Sequence, residues 1–356
     1  MKNISGVQIQ EIRSSAPLRV NDIGGWTDTW FARKGAVLNL SIGPPVKIVI
    51  KVFEHEKKDN PIVLVHAKDY HESFRFDPIN PDFKVHPIIQ GAVNSVKLPP
   101  GIDLEITIES TFPAASSMGT SAAVCVALLG GLDGLFFSRL SPLEVVSLAH
   151  KVETVKLGLQ SGIQDQIAAV YGGVCFIQMP SYPMASVEKL SLDENTKDQL
   201  KMRLVSVYLG NAHSSSNLHE RVIRSLESGG PGLKQINRMA TLAREAKNML
   251  QAGDLFEYGR IMIENNECQR ALHPDLISEK ADAVIKIAKN FRAAGWKVNG
   301  AGGSGGSISL LGSLEKGERD KMLRKFDSMG RGIRVLPLYL SDKGLTVEKV
   351  TIDPML

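Results

Sequence analysis

Residues 103–109 alternate in character: Leu104, Ile106 and Ile108 are apolar, and Asp103, Glu105, Thr107 and Glu109 are polar. A two-residue period of this kind predicts a strand with one buried face. The stretch 121–136 is rich in Ala, Val and Leu and carries no charge until Asp133, which predicts a helix. Similar reasoning places strands at 46–53 and 61–66 and a second helix at 142–157. Pro180-Ser181-Tyr182-Pro183 then punctuates the chain, and a new strand starts at 204–209. Long helical patterns follow at 236–251, 255–267 and 278–294, before strands return at 307–311, 333–340 and 345–351. Strands mixed with segregated helices predict an α+β protein. The punctuation suggests two domains, residues 1–197 and 198–356.

The link between the first strand and helix is chemically the richest segment: Pro113-Ala114-Ala115-Ser116-Ser117-Met118-Gly119-Thr120-Ser121-Ala122-Ala123. Its small and hydroxyl-bearing residues let backbone amides turn inward at a helix N-terminus, where free N–H groups and the helix dipole favour phosphate. An ordinary capped turn is the alternative. The P-loop pattern G-x-x-x-x-G-K-[ST] is absent. Gly300, Gly302 and Gly305 spell G-x-G-x-x-G, but the strand-like Ser307-Ile308-Ser309-Leu310-Leu311 follows them where a dinucleotide site needs a helix.

Composition narrows the classes. A formal net charge of +4 over 356 residues, with no basic stripe, argues against nucleic acid. Cys125, Cys175 and Cys268 are far apart and fit no zinc or disulfide pattern. His55, His66, His71 and His86 lack metal-ligand spacing and read as surface histidines. There is no apolar run of membrane-spanning length and no signal peptide, so a cytoplasmic protein is expected, as monomer or homodimer.

Four segments in order resemble the GHMP kinase superfamily: galactokinase, homoserine kinase, mevalonate kinase and phosphomevalonate kinase. The first runs Ala16-Pro17-Leu18-Arg19-Val20-Asn21-Asp22-Ile23-Gly24-Gly25-Trp26-Thr27-Asp28. The second is the phosphate loop, similar to P-x-x-x-G-L-G-S-S-A, with Ser117, Met118 and Thr120 as departures. Ser161-Gly162-Ile163-Gln164-Asp165-Gln166 and Asn299-Gly300-Ala301-Gly302-Gly303-Ser304-Gly305-Gly306 complete the set. The resemblance implies an N-terminal domain like ribosomal protein S5 domain 2, a ferredoxin-like C-terminal domain and an active site in the cleft between them. It implies a phosphotransferase with an alcohol acceptor, using ATP and Mg²⁺. The Gly-Gly before Thr27-Asp28 looks like the L-fucose kinase and heptose 7-phosphate kinase subgroup, although Thr29-Trp30-Phe31 departs from the fucose-kinase continuation. The acceptor would be a small-molecule sugar or sugar phosphate. Mevalonate-type kinases and catalytically silent sugar sensors are the alternatives.

By the same resemblance Asp165 accepts or orients the proton of the attacked hydroxyl, and Arg19 pairs with it. Ser161 and Gln164 read as a capping box that sets Asp165 in a first helical turn. Ser121 and Glu153 are the implied Mg²⁺ ligands, both hard oxygen donors. Asp28, with Gly25 and Trp26, is implied on the sugar side, where an exposed indole would stack on a sugar face or, alternatively, pack in the core. Ser116, Ser117, Met118, Gly119, Thr120, Ser121 and Ala122, with Gly302, Gly303 and Gly305, are implied around ATP. His213-Ser214-Ser215-Ser216 reads as a surface turn, with the sugar side of the cleft as the alternative.

Overall fold

Extended apolar alternation near both ends of the chain builds one large sheet. The computed structural model describes residue 4 and residues 6–54, 60–113, 115–136, 140–210, 216–230, 232–330 and 332–350. Ala114, His55 and the segment 213–215 lie outside the described residues. Strands β1 (Val7–Ile23), β2 (Gly35–Glu54), β3 (Val63–Ala67) and β4 (Glu72–Phe76) come first. Helix α1 (Pro87–Asn94), strand β5 (Ile102–Glu109) and helices α2 (Thr120–Phe136), α3 (Pro142–Lys151) and α4 (Gln164–Tyr171) follow. Strands β6 (Val174–Ser181) and β7 (Met184–Leu190) lead to helix α5 (Glu194–Arg203). Then come β8 (Leu204–Tyr208), α6 (Ser216–Glu227), α7 (Leu233–Gln251), α8 (Leu255–Leu272) and α9 (Glu279–Asn290). The chain continues through β9 (Gly295–Val298), β10 (Ser307–Leu311), α10 (Lys316–Asp327), β11 (Arg334–Leu336), β12 (Tyr339–Leu340) and β13 (Thr346–Val350).

The large sheet runs β13-β1-β2-β5-β3-β4, with β6 and β12 also paired to β2 and β7 to β6; among the described residues its one parallel pairing is β3–β5. The small sheet runs β11-β8-β10-β9. That order, with helices between β8 and β9 and between β10 and β11, is the ferredoxin-like arrangement. The fold is α+β in two parts. The 197/198 division lies inside α5, and β12 and β13 return the chain to the large sheet.

Helix α2 is buried along nearly its whole length, from Ala122 and Ala123 to Leu132, which explains its uncharged sequence. One apolar cluster joins β1, β2 and α2 to Leu242, Ala246, Tyr258 and Met262 of α7 and α8, so the two parts share a core. A second, smaller cluster lies on the small sheet against α9 and α10.

A β-bulge decides what enters the seam. Val20 pairs with Leu40 and Ile23 with Leu38, so β1 carries one extra residue at Asn21–Asp22. Asn21 has a left-handed backbone, with φ of 54°, and its amide donates to Asn299 Oδ1 at 2.9 Å. Asp22 accepts from Lys297 Nζ at 2.9 Å, and both side chains are fully buried. Burial works against the Lys297 charge and lowers its pKa, while Asp22 opposes that shift. Removing one partner of such a pair strands a charge at a penalty of about 3–5 kcal/mol. Lys297→Met should therefore lose about that much unfolding free energy in urea, and adding Asp22→Asn should restore most of it. A loss below about 1 kcal/mol in the single variant would show that the pair does not hold the two sheets together.

Candidate active site

The first turn of α2 defines one wall. Ala123 N donates to Gly119 O at 3.0 Å, which leaves the amides of residues 120–122 without intrahelical acceptors. Met118 is fully buried and anchors the loop in the core. Ser117 takes a left-handed backbone, φ 59°, at a position where the motif it resembles has glycine. Its carbonyl accepts from Arg19 Nη1, and Arg19 N donates to Met118 O at 2.9 Å. Gly119 also has positive φ, 74°, and a Cβ there would come within 3.2 Å of Asp165 Oδ2.

Arg19 grips Asp165 with two prongs, Nε to Oδ1 at 2.8 Å and Nη2 to Oδ2 at 3.1 Å. Burial opposes the guanidinium charge, but the carboxylates of Asp165, Asp22 and Asp28 outweigh it and hold Arg19 above its ordinary pKa. Arg19 is buried, and a quarter of the Asp165 side chain is exposed. The capping box at 161–164 does not form. Ser161 Oγ donates to Gly162 O, and the amide of Gln164 donates instead to Asp28 Oδ2 at 3.0 Å. A carboxylate 136 residues away takes the capping position because a charged acceptor suits a helix N-terminus.

Glu153 stands in a π-turn, Val152–Lys156, closed by Leu157 N donating to Val152 O. Its Oε2 accepts from Gln166 Nε2 at 2.9 Å, and its Oε1 is buried with no partner among the described residues. Burial pushes its pKa up to about 7, with Asp165 adding to the shift. Asp28, also buried, is pushed up to about 6 by burial, with Asp165 and Asp22 adding.

These side chains meet in a cavity of about 690 Å³ lined by Arg19, Asp22, Trp26, Asp28, Ser121, Ala122, Glu153 and Asp165 among others. A second cavity, about 300 Å³, is lined by Ser116–Ser121, Arg19, Asp165, Gly302 and Gly305. A third, about 730 Å³, lies between Lys68–His71, His86–Ile89 and Phe112–Pro113. Ser121 lines all three, so they are arranged around the α2 N-terminus. The glycine-rich loop packs on the phosphate loop: a Cβ at Gly306 would lie 2.5 Å from Ser117 Oγ, and Ser307 Oγ donates to Ser116 O at 2.7 Å.

The model of the GHMP kinases N terminal domain matches residues 87–173, the stretch from α1 through α4 with the phosphate loop, Glu153 and Asp165. The chain carries a GHMP kinase N-terminal domain. It is 28% identical over 330 residues to the bifunctional fucokinase/GDP-fucose pyrophosphorylase of Arabidopsis thaliana, covering 87% of this chain and 30% of that protein. It is 27% identical over 256 residues to the mevalonate kinase of Thermococcus onnurineus, covering 70% of each. Among solved structures, a D-glycero-D-manno-heptose 1-phosphate kinase from Bacteroides thetaiotaomicron matches with TM-score 0.72 at 22% identity, covering 96% of this chain and all of that one. No helix among the described residues is long and apolar enough to cross a membrane.

Around this GHMP domain several expected residues take other positions. Trp26 is not an exposed stacking surface: only 8% of it is accessible, and it packs with Val222, Ile223, Leu226 and Met239 while one edge lines the large cavity. The apolar faces of α6 and α7 outcompete water for the indole. Gly25 is not among the lining residues; a Cβ there would meet Asp22 Oδ2 at 2.5 Å. Gly303 turns toward the 3₁₀ turn Pro274–Leu276 that follows α8, its amide donating to Leu276 O at 2.9 Å. The sequence reading missed Asp22, Lys297 and the whole Lys68–Phe112 cavity, whose residues follow no motif. The bulge-forming Asn21-Asp22 dipeptide was the one available signal.

Asp28 supplies a pH test. A carboxyl held above its unfolded pKa binds more protons when folded, so its stabilising contribution is full below about pH 4. It is lost as pH rises through about 6. Asp28→Asn keeps an acceptor for Gln164 N without that dependence. Relative to the parent, the variant should gain about 2–3 kcal/mol in urea unfolding between pH 4 and pH 7. Equal differences at both pH values would contradict the burial argument.

Proposed function

We propose that the protein is a Mg²⁺-dependent sugar kinase that transfers the γ-phosphoryl group of ATP to the anomeric hydroxyl of a sugar. One observation carries this reading: the Arg19–Asp165 fork borders both the phosphate-loop cavity and the large cavity beside it. Phosphoryl transfer asks chiefly for such positioning of acceptor against phosphate. The 730 Å³ cavity is the place for the nucleoside, between Tyr70 and Ile89. The 300 Å³ cavity takes the phosphates on the free amides of residues 120–122. The 690 Å³ cavity takes the acceptor.

Ser121 and Glu153 fit a magnesium ion: both offer hard oxygens, and the buried Glu153 Oε1 has no partner among the described residues. Bound there, the ion would neutralise charge on the phosphate oxygens. Arg19 fixes both oxygens of Asp165. That carboxylate orients the sugar hydroxyl and receives its proton as the oxygen bonds to phosphorus and the bond to the ADP oxygen breaks. Asp28, capping α4 from the cavity wall, orients a further hydroxyl. The likeness to a mevalonate kinase supports a second reading, with mevalonate as the alcohol.

Replacing Asp165 by Asn should lower turnover by at least about two orders of magnitude. ATP affinity by calorimetry should stay nearly unchanged. Near-parental turnover would dismiss any role for this carboxylate in the transfer. Regiochemistry is tested separately by phosphorus–proton NMR of the product. The new phosphate should couple to the anomeric proton, and a methyl glycoside should not be phosphorylated. Coupling to another ring proton would remove the anomeric assignment and leave the kinase reading standing.

A further inference from the structure

The 690 Å³ cavity has a one-sided charge. Asp22, Asp28, Glu153, Asp165 and Glu220 line it, and Arg19 is the one Lys or Arg side chain in its lining among the described residues. Three of the five N–H groups of Arg19 are engaged, Nε and Nη2 by Asp165 and Nη1 by the Ser117 carbonyl. Lys297, the partner of Asp22, is sealed against it at 1% accessibility. His219, at the far end, is held toward its neutral form by burial.

The hydrogen-bonding inventory points the same way. Asp22 Oδ2 and Gln164 Oε1 are buried acceptors with no partner among the described residues, and both residues line the cavity. The Asp28 carboxylate adds further acceptor capacity. Trp26 Nε1 is a buried donor with no partner among the described residues, on a residue that lines the cavity with the apolar Phe31, Leu159 and Ile223. Acceptors of this kind are satisfied by hydroxyl groups, which donate; a phosphate dianion or a carboxylate has only lone pairs to offer. Away from the α2 amides and the proposed magnesium position, an anion placed beside Asp22, Asp28 and Glu220 would meet like charge, with Arg19 already engaged by Asp165.

Resting on the sugar-kinase reading, we infer that the acceptor is an uncharged sugar, and that the cavity lining selects against sugars already phosphorylated and against alcohols bearing a carboxylate. The geometry thus separates the two readings above: a free aldose fits the lining, and mevalonate does not.

The test uses the full chain at pH 8, above the pKa values of about 6 for Asp28 and about 7 for Glu153, with ATP and Mg²⁺. The panel is L-fucose, D-mannose, D-mannose 6-phosphate, D-glycero-D-manno-heptose 7-phosphate and mevalonate. Calorimetric binding without nucleotide is measured beside turnover. The expected result is a neutral sugar bound and phosphorylated, with kcat/KM at least about a hundredfold above every anionic acceptor. An anionic acceptor bound or turned over better than the neutral sugars would overturn the inference and leave the kinase reading intact. Failure of the whole panel to bind or react would instead reject the sugar-kinase reading together with this inference. Glu220→Lys, a charge reversal in the lining, should narrow the gap between D-mannose and its 6-phosphate by about tenfold. An unchanged gap would show that the discrimination is not electrostatic.

Discussion

The buried contact between Asp22 and Lys297 is the constraint on which the rest of the site depends. It joins the bulge of β1 in the large sheet to β9 in the small one. Its net contribution to stability is small, because desolvating two charges offsets most of their attraction. Its effect is on position. With one partner fixed, the other cannot leave without stranding a charge, so the two sheets have one register. Asn21 to Asn299, Gly24 N to Asn265 and Ser307 to Ser116 then fall into hydrogen-bonding distance across the same seam.

That register lets loops from distant parts of the chain share one small volume. The glycine-rich loop approaches Ser117 so closely that a side chain at Gly306 would collide with it. Ser117 accepts a left-handed backbone that glycine would adopt more easily, and two contacts support it: the Arg19 guanidinium at its carbonyl and Gly306 at its side chain. The strain is local, of order 1–3 kcal/mol, and sits beside the cavity proposed for phosphate.

Where chemistry is written in contiguous residues, the sequence was readable. The phosphate loop, Arg19 and Asp165 came from short motifs and Glu153 from the family resemblance, and the cavities bring them together. Strand 102–109 and helix 120–136 followed from periodicity within a residue or so. The misreadings share one cause, a partner remote in sequence. Ser161 and Gln164 had the spacing of a capping box, but local spacing could not reveal that Asp28 would occupy the helix end. Trp26 was open to both readings, a stacking surface or a core residue, and the α6 and α7 faces that bury it are remote in sequence. Lys297 drew no reading at all, because its counter-ion stands in the bulge of β1, 275 residues away.

The two carboxylates nearest the proposed transfer differ in their neighbours, and this difference divides their work. Asp165 has a guanidinium on both oxygens; Asp28 makes no ion pair among the described residues and accepts from two amide groups of Gln164. A lysine in place of Arg19 could satisfy one Asp165 oxygen as a point charge, but it could not hold both and also reach the Ser117 carbonyl with the geometry of a planar fork. Arg19 therefore sets two distances at once: the orienting carboxylate relative to its helix, and the phosphate loop relative to that carboxylate. The attacking oxygen and the phosphorus would be positioned by one side chain, so an error in either half of the site would be transmitted to the other through Arg19.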